Sequence, residues 1–151
     1  MAKKPAKRRA PKKTSVSATR RRLIEAAKSA QKSAYCPYSR YPVGAAVLTD
    51  SGRIYTGCNV ENASFGLAIC AERVAIFKAV SSGEKRVRAL CVAAKSAKPC
   101  GACRQVITEF APKDAEIIIV DWQPLEKKEK ITRTTAGRLL PYAFNPSEAG
   151  L

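Results

Sequence analysis

Apolar and polar residues recur along the chain in patterns that predict nine secondary-structure elements. Thr19 is a suitable N-cap for a helix running to about Ala34, with an apolar stripe at Leu23, Ala26, Ala27, Ala30 and Ala34. Short apolar runs separated by turn signals predict strands at residues 43–48, 53–58, 87–94, 116–120 and 130–134. Further helices are predicted at residues 69–80, from residue 99 onward and at 137–140. The order αββαβαββα predicts an α/β fold, a three-layer α/β/α sandwich around a mixed five-stranded sheet.

The same patterns predict which residues face the core. On the helix at residues 69–80, the expected inward positions are Ile69, Val74, Ala75 and Phe77. The strand at residues 116–120 is too hydrophobic for an exposed edge, so we expect it inside the sheet.

Positive charge is concentrated at the amino end. The 151 residues include 28 Lys and Arg against 12 Asp and Glu, a net charge of +16. Residues 1–22 hold ten of these cations and no acid, which leaves a net +6 for residues 23–151. Residues 1–18 contain no aromatic residue and little apolar surface, so they are predicted to be a disordered basic tail, and residues 19–151 one domain. Such a tail favours non-specific contact with nucleic-acid phosphates, or nuclear import.

The complete absence of histidine limits the chemistry. It excludes Ser-His-Asp and Cys-His catalysis and every imidazole metal ligand. No apolar run approaches the roughly 18 residues of a membrane span, and none follows the basic start as in a secretory signal. We therefore expect a cytoplasmic protein without membrane contact, whose six cysteines bind metal or react as thiols.

Two cysteine motifs are the strongest chemical signals. Pro99-Cys100-Gly101-Ala102-Cys103 places two thiols in the first turn of a predicted helix, where the helix dipole favours thiolates. This spacing suits zinc and would equally suit a redox dithiol. Cys70-Ala71-Glu72 adds a third thiol with a carboxylate two residues later. Catalytic zinc sites hold three protein ligands and leave one position for water, whereas a structural site would normally need a fourth.

These motifs resemble the three-cysteine form of the zinc deaminase signature. Around them, the sequence is similar to cytidine deaminases of the small homotetrameric type over nearly the whole predicted domain. The matching segments are Tyr38-Ser39, Val43 to Ala46, Gly57 to Asn62, Cys70 to Arg73, Pro99 to Gln105, Leu139 to Pro141 and Ala143-Phe144. Residues 1–18 fall outside the resemblance.

The resemblance implies a role for each residue of the metal centre. Cys70, Cys100 and Cys103 would bind one Zn²⁺ per subunit, and Glu72 would carry protons. Three thiolates leave the centre with a charge of −1, which weakens the metal as a Lewis acid. Arg73 lies three residues after Cys70 and hence on the same helix face, where a guanidinium would withdraw charge from the sulfurs.

The resemblance also implies the contacts with substrate. Asn59 and Glu61 would bind the ribose 3′-hydroxyl, and the backbone around Ala71 would meet the pyrimidine edge. Tyr41 stands where the family usually has a phenylalanine against the base, and its hydroxyl needs a partner. Phe65 would help to close the pocket. Phe144 would do the same from a neighbouring subunit of a homotetramer.

The expected function is hydrolytic deamination of cytidine and 2′-deoxycytidine to the uridine nucleosides, a step of pyrimidine salvage. A polynucleotide cytosine deaminase is an alternative that the charge favours, but Glu61 would repel a 3′-phosphate. A non-enzymatic zinc module that binds nucleic acid would need neither Glu72 nor the segment Asn59 to Asn62. A deaminase of nucleoside antibiotics would share the zinc motif.

Overall fold

The computed structural model describes residues 16–123, 125, 128–146 and 148–150. The elements follow the predicted order, with a short 3₁₀ turn at Phe65–Leu67 before the second helix. The helices are α1 (Val16–Gln31), α2 (Ala71–Ser81), α3 (Gly101–Phe110) and α4 (Ala136–Leu139). The strands are β1 (Gly44–Thr49), β2 (Ile54–Cys58), β3 (Val87–Ala94), β4 (Glu116–Gln123) and β5 (Lys128–Thr135).

The five strands form one mixed sheet in the order β2-β1-β3-β4-β5. Only β3 and β4 are parallel, and the other neighbours are antiparallel. In the parallel pair, Ala89 lies opposite Glu116 and Ala94 opposite Asp121. The prediction that residues 116–120 lie inside the sheet is confirmed, because β4 is hydrogen-bonded on both sides.

Helices cover both faces of the sheet, which confirms the three-layer sandwich. On one face, Leu23 and Ala27 of α1 pack in a buried cluster with Cys91 and Ile118 of the sheet. On the other face, α2 and α3 pack against a larger cluster that contains Val47, Leu90 and Val92. Among the described residues, no helix is long and apolar enough to cross a membrane.

The first helix lies three residues earlier than its sequence pattern indicates. It begins at Val16 and ends at Gln31, whereas the prediction ran from Thr19 to Ala34. Gln31 continues the buried stripe of Leu23 and Ala27, because its side-chain amide donates to the Pro42 carbonyl at 3.0 Å. Of the predicted tail, residues 1–15 lie outside the described residues.

The inward face of α2 also differs from the prediction. Phe77 is 42% exposed, whereas the buried positions are Ala71, Glu72, Ala75, Ile76 and Ala79. The prediction was wrong about Phe77 because it gave an aromatic side chain priority over small ones. The small side chains allow close packing, since a Cβ on Gly57 of β2 would lie 2.5 Å from the Ala71 carbonyl oxygen. This close approach fixes the start of α2 against the sheet.

Candidate active site

Three cysteines from two helix starts form a single cluster. Cys70 and Cys100 are the N-cap residues of α2 and α3, and Cys103 lies in the first turn of α3. Both helices pack on the same face of the sheet, so the loops that precede them meet. The Sγ atoms of Cys70 and Cys100 are 3.9 Å apart, and those of Cys100 and Cys103 are 3.5 Å apart. All three sulfurs lie within 4.8 Å of one another.

This cluster fits zinc. Tetrahedral zinc with bonds of about 2.3 Å to sulfur requires thiolates about 3.8 Å apart, which these distances match. Cys58 does not belong to the cluster, and its thiol donates to the Ser33 carbonyl at 3.2 Å. The site therefore offers three sulfur ligands, the number that leaves a fourth position open.

Hydrogen bonds and Arg73 stabilise negative charge on the cluster. A hydrogen bond with Cys103 lowers the pKa of Cys70, and the guanidinium of Arg73 acts in the same direction. Arg73 donates to Cys70 Sγ at 3.7 Å. Its Nε is buried and has no hydrogen-bond partner among the described residues. The positive charge of Arg73, together with its unused Nε–H donor, fits a site whose sulfurs carry negative charge.

Among the described residues, Glu72 is the acid that lies buried beside the sulfurs. Glu72 is only 3% exposed, although it lies in the first turn of α2. Burial raises the pKa of Glu72 to about 7, and the nearby Cys70 thiolate adds to the effect. Its carboxyl group thus has a greater affinity for a proton than an ordinary glutamate, which is the property required of a group that exchanges protons.

The cluster opens into a cavity of about 340 Å³. Six residues with predicted roles line it, namely Tyr41, Asn59, Glu61, Cys70, Glu72 and Cys100. The structure therefore brings together residues from the segment before β1, the loop after β2 and the starts of two helices. Because Val92 and Ala94 of β3 also line the cavity, it lies at the carboxyl end of that strand.

Glu61 is held by main-chain donors. Its Oε2 accepts from the backbone N–H groups of Tyr38 at 2.9 Å and Ser39 at 3.2 Å. Hydrogen bonds from the Ser39 side chain, and then from these N–H groups, lower the pKa of Glu61. The side chain is therefore ionised at neutral pH, and the main chain fixes its Oε2.

Asn59 joins the segments on either side of the cavity. Its Oδ1 accepts from the Val43 N–H at 2.8 Å, and its Nδ2 donates to the Tyr41 carbonyl at 2.9 Å. A side-chain amide has two N–H groups and two acceptor lone pairs, so one of each stays available for a ligand. Asn59 thus positions Tyr41 as well as facing the cavity.

The hydroxyl of Tyr41 has a partner in the protein. It donates to the main-chain carbonyl of Lys95, in the segment between β3 and α3. Partial burial raises the pKa of Tyr41. The extra hydroxyl relative to phenylalanine is accommodated by this bond, and the ring stays at the cavity wall.

Other predicted site residues lie apart from the cavity wall. Phe65 is 74% exposed and packs edge-on against Tyr38, with ring centroids 5.5 Å apart. Phe144 is 60% exposed and lines a different cavity near the carboxyl end. Ala71 is fully buried between Cys70 and Glu72.

Two further residues were not predicted from the sequence. Lys98 lines the cavity immediately before the Pro99 motif, and its position beside that motif was the available signal. Arg104 follows Cys103 and bonds to two carbonyl groups, those of Pro99 and Leu139. No sequence pattern predicts the contact between Arg104 and Leu139, because these residues are 35 positions apart.

Comparison with known proteins agrees with this geometry. Residues 17–119 match the family model of the cytidine and deoxycytidylate deaminase zinc-binding region. A cytidine deaminase of Sporosarcina psychrophila is 45% identical over 130 residues, covering 84% of this chain and 92% of that protein. A probable cytidine deaminase of Dictyostelium discoideum is 43% identical over 132 residues, covering 84% of each chain.

A solved structure shows the same fold. The crystal structure of cytidine deaminase from Burkholderia pseudomallei superposes with a TM-score of 0.76 at 44% identity, covering 82% of this chain and 98% of that one. The fold and the three-thiol centre define a deaminase-type zinc protein. The chain belongs to the cytidine and deoxycytidylate deaminase family.

Proposed function

We propose that this protein catalyses the hydrolytic deamination of cytidine and 2′-deoxycytidine, which yields uridine or 2′-deoxyuridine and ammonia. The observation that carries the proposal is the position of Glu72, a buried carboxyl group in a cavity shared with two of the three clustered thiols. Relatives that bear the name cytidine deaminase support the same reaction.

Zinc is the cofactor, and we propose Cys70, Cys100 and Cys103 as its ligands. Their sulfur separations and the exclusion of Cys58 support this assignment. When bound, zinc acts as a Lewis acid that lowers the pKa of a water molecule from 15.7 towards about 7. Arg73 would hold the Cys70 sulfur and reduce its negative charge.

Glu72 would carry the protons of the reaction. In this mechanism its carboxylate takes a proton from the attacking water and delivers it to N3 of the pyrimidine ring. The water oxygen bonds to C4. Glu72 then takes the proton of this C4 hydroxyl and passes it to the C4 amine, which leaves as ammonia when the carbon–nitrogen bond breaks. The raised pKa of Glu72 supports this role, because a group that accepts and then releases a proton works best near neutrality.

Asn59 and Glu61 would bind the ribose 3′-hydroxyl. Oε2 of Glu61 accepts from two backbone N–H groups, and we assign the other carboxylate oxygen as the acceptor for the hydroxyl. The ionised carboxylate would repel a 3′-phosphate, so it favours a free nucleoside over a polynucleotide. Tyr41 would pack against the base, with Phe65, the Ala71 backbone and Phe144 of a neighbouring subunit completing the pocket.

The direct test is ultraviolet monitoring of cytidine turnover by the purified protein, with zinc measured on the same sample. We expect turnover together with about one zinc per chain. Cys100→Ala should lose both, whereas Cys58→Ala should retain both, since Cys58 lies outside the cluster. Zinc without turnover of cytidine or 2′-deoxycytidine would contradict the assigned reaction and favour a nucleoside-antibiotic substrate or a binding module.

We further propose a homotetramer, in keeping with the resemblance. Exposed apolar side chains support assembly, because Phe65 is 74% and Leu67 71% exposed in the 3₁₀ turn before α2. Light scattering after size-exclusion chromatography would measure the assembly. The cytoplasmic location, the role in salvage, nuclear import and the contact of the basic tail with nucleic acid stay predictions.

A further inference from the structure

An open cleft at one corner of the sandwich is lined almost entirely by basic and hydroxyl side chains. It has a volume of about 430 Å³ and lies between α1, the start of β4, the end of β5 and α4. Its lining residues are Arg20, Glu116, Arg133, Thr134, Thr135 and Arg138. The proposed reaction uses none of them.

The cleft carries more positive charge than its one acid can balance. Arg20 Nε donates to both carboxylate oxygens of Glu116 at 2.9 Å. Arg133 approaches the same carboxylate at 4.0 Å and is 58% exposed. Arg138 is exposed and makes no ion pair with any acid in the described part of the chain. Three guanidinium groups against one carboxylate leave a net charge of +2.

The cleft lies close to Val16, where the described part of the chain begins. Arg20 lies four residues after Val16, about one helical turn of 5.4 Å from the start of α1. In the sequence, residues 1–15, which precede Val16, carry seven cations and no acid. Arg21 and Arg22 follow on the exposed side of the helix. The first two turns of α1 thus add two exposed cations beyond the three arginines of the cleft.

The cleft lies at the opposite end of the sheet from the candidate active site. It includes Glu116, which pairs with Ala89 near the start of β3, whereas the active-site cavity is lined by Ala94 at its end. The five residue steps from Ala89 to Ala94 along β3 span about 17 Å. A polymer in the cleft would therefore leave the cavity open to nucleosides.

We propose that the cleft binds the phosphate backbone of nucleic acid. It would provide a binding site within the folded domain, in addition to the contact predicted for the basic tail. Arginine guanidinium groups and threonine hydroxyl groups donate hydrogen bonds that phosphate oxygens accept. Among its described lining residues, none has an aromatic side chain that could stack on a base or an apolar side chain that could enter a lipid bilayer. Binding is therefore independent of base sequence, and a membrane surface is the less suitable partner. The proposal does not depend on the proposed deamination.

Fluorescence anisotropy of the full chain with a labelled oligothymidylate of about 20 nucleotides tests the proposal. The probe contains no cytosine, so it cannot report on binding of a substrate base. Arg138→Gln should weaken binding several-fold and reduce the slope of log affinity against log salt by about 0.7. Arg133→Gln should act in the same direction. Zinc content and cytidine turnover should not change, which separates this proposal from the proposed reaction.

Lys32→Gln is the matched control. Lys32 is exposed just beyond the other end of α1. Its substitution by glutamine removes one positive charge, as Arg138→Gln does. An equal loss from Lys32→Gln and Arg138→Gln would overturn the proposal, because charge alone would then explain binding. Wild-type binding by the Arg138→Gln protein would also overturn the proposal. The same holds if the wild type binds vesicles of anionic phospholipid as tightly as it binds the oligothymidylate. A chain that begins at Ser17 should bind more weakly yet remain sensitive to Arg138→Gln.

Discussion

The guanidinium of Arg104 donates through Nε to the main-chain carbonyl of Pro99 at 2.9 Å. Pro99 directly precedes Cys100, so this bond fixes the backbone from which one of the three clustered thiols projects. The Nη1 atom of the same guanidinium donates to the Leu139 carbonyl at 3.0 Å, in the last turn of α4. One side chain thus connects the carboxyl-terminal helix to the proposed metal centre.

Arg104→Gln should therefore weaken metal retention, because glutamine cannot reach both carbonyls. Loss of charged hydrogen bonds to partly buried groups costs about 1.5–3 kcal/mol. We expect a lower unfolding temperature and faster zinc loss to a chelator, measured with a colorimetric zinc indicator. Arg88→Gln is the control, since Arg88 is 63% exposed and only 3.9 Å from Asp50. If both variants released zinc at the wild-type rate, Arg104 would have no positioning role.

Much of the fold followed from local patterns. Each of β3 and β4 contains a continuous apolar run, at residues 89–94 and 117–120, and the predicted order of nine elements was confirmed. The orientation of α2 was not predictable, because its buried face is set by close packing of Ala71 and Ala75 against Gly57. The end of α1 was missed because the polar Gln31 is buried through a bond to Pro42.

The candidate site was predictable only where residues lie within motifs. The thiols and Glu72 belong to short motifs, and the structure brings them together as the resemblance implied. The contacts of Tyr41 with Lys95, and of Arg104 with Leu139, join distant segments and leave no local signal. The cleft around Arg138 arises in the same way, from residues that only the sheet register brings near Arg20.

Glu72→Gln should retain zinc and the fold but lose at least about a hundredfold in cytidine turnover, the usual contribution of general acid–base catalysis. The amide is nearly isosteric but cannot accept the proton from water. Steady-state kinetics with zinc analysis would measure the effect. Glu109→Gln, which changes an exposed acid of α3, should behave like the wild type. A loss below about tenfold in Glu72→Gln would show that another group carries the proton.

Arg73→Ala should preserve the fold and lower turnover about tenfold to a hundredfold, the range seen when a partner of a metal ligand is removed. Without the guanidinium, the Cys70 sulfur keeps more negative charge and the metal becomes a weaker Lewis acid. Arg73→Lys should recover part of the rate, because it retains the charge. The measurement is steady-state kinetics on samples of equal zinc content. A wild-type rate for Arg73→Ala at full zinc occupancy would contradict the proposal that Arg73 reduces the negative charge on the Cys70 sulfur.

Glu61→Gln should raise the KM for cytidine by about tenfold or more, as expected for loss of a charged hydrogen bond. Glutamine retains an oxygen for the N–H groups of Tyr38 and Ser39, so the loop should keep its conformation. The KM for 3′-deoxycytidine, which lacks the hydroxyl, should change little. The wild type should also reject cytidine 3′-phosphate, and efficient turnover of that compound would favour the polynucleotide alternative.

Glu84 provides a pH-dependent contribution to stability away from the site. Its carboxylate, 8% exposed, links the turn after α2 to the β1–β2 hairpin. It accepts from Ser51 Oγ at 2.8 Å and forms an ion pair with Arg53, whose Nε lies 2.7 Å from the carboxylate. The hydrogen bond from Ser51 is the main cause that lowers the pKa of Glu84, with Thr49 and Arg53 acting in the same direction. The folded state therefore favours the ionised form.

A lowered pKa contributes stability above the ordinary value of 4.5 and loses it as the pH falls through the folded-state value. At neutral pH we expect Glu84→Gln to unfold a few degrees below the wild type. The difference should shrink as the pH is lowered from about 5 to about 3, because the wild-type carboxylate becomes protonated there. Thermal unfolding followed by circular dichroism at each pH would measure it, with Glu109→Gln as the exposed control. A difference that stays constant over this range would mean that Glu84 stabilises the hairpin through neutral hydrogen bonds, not through its charge.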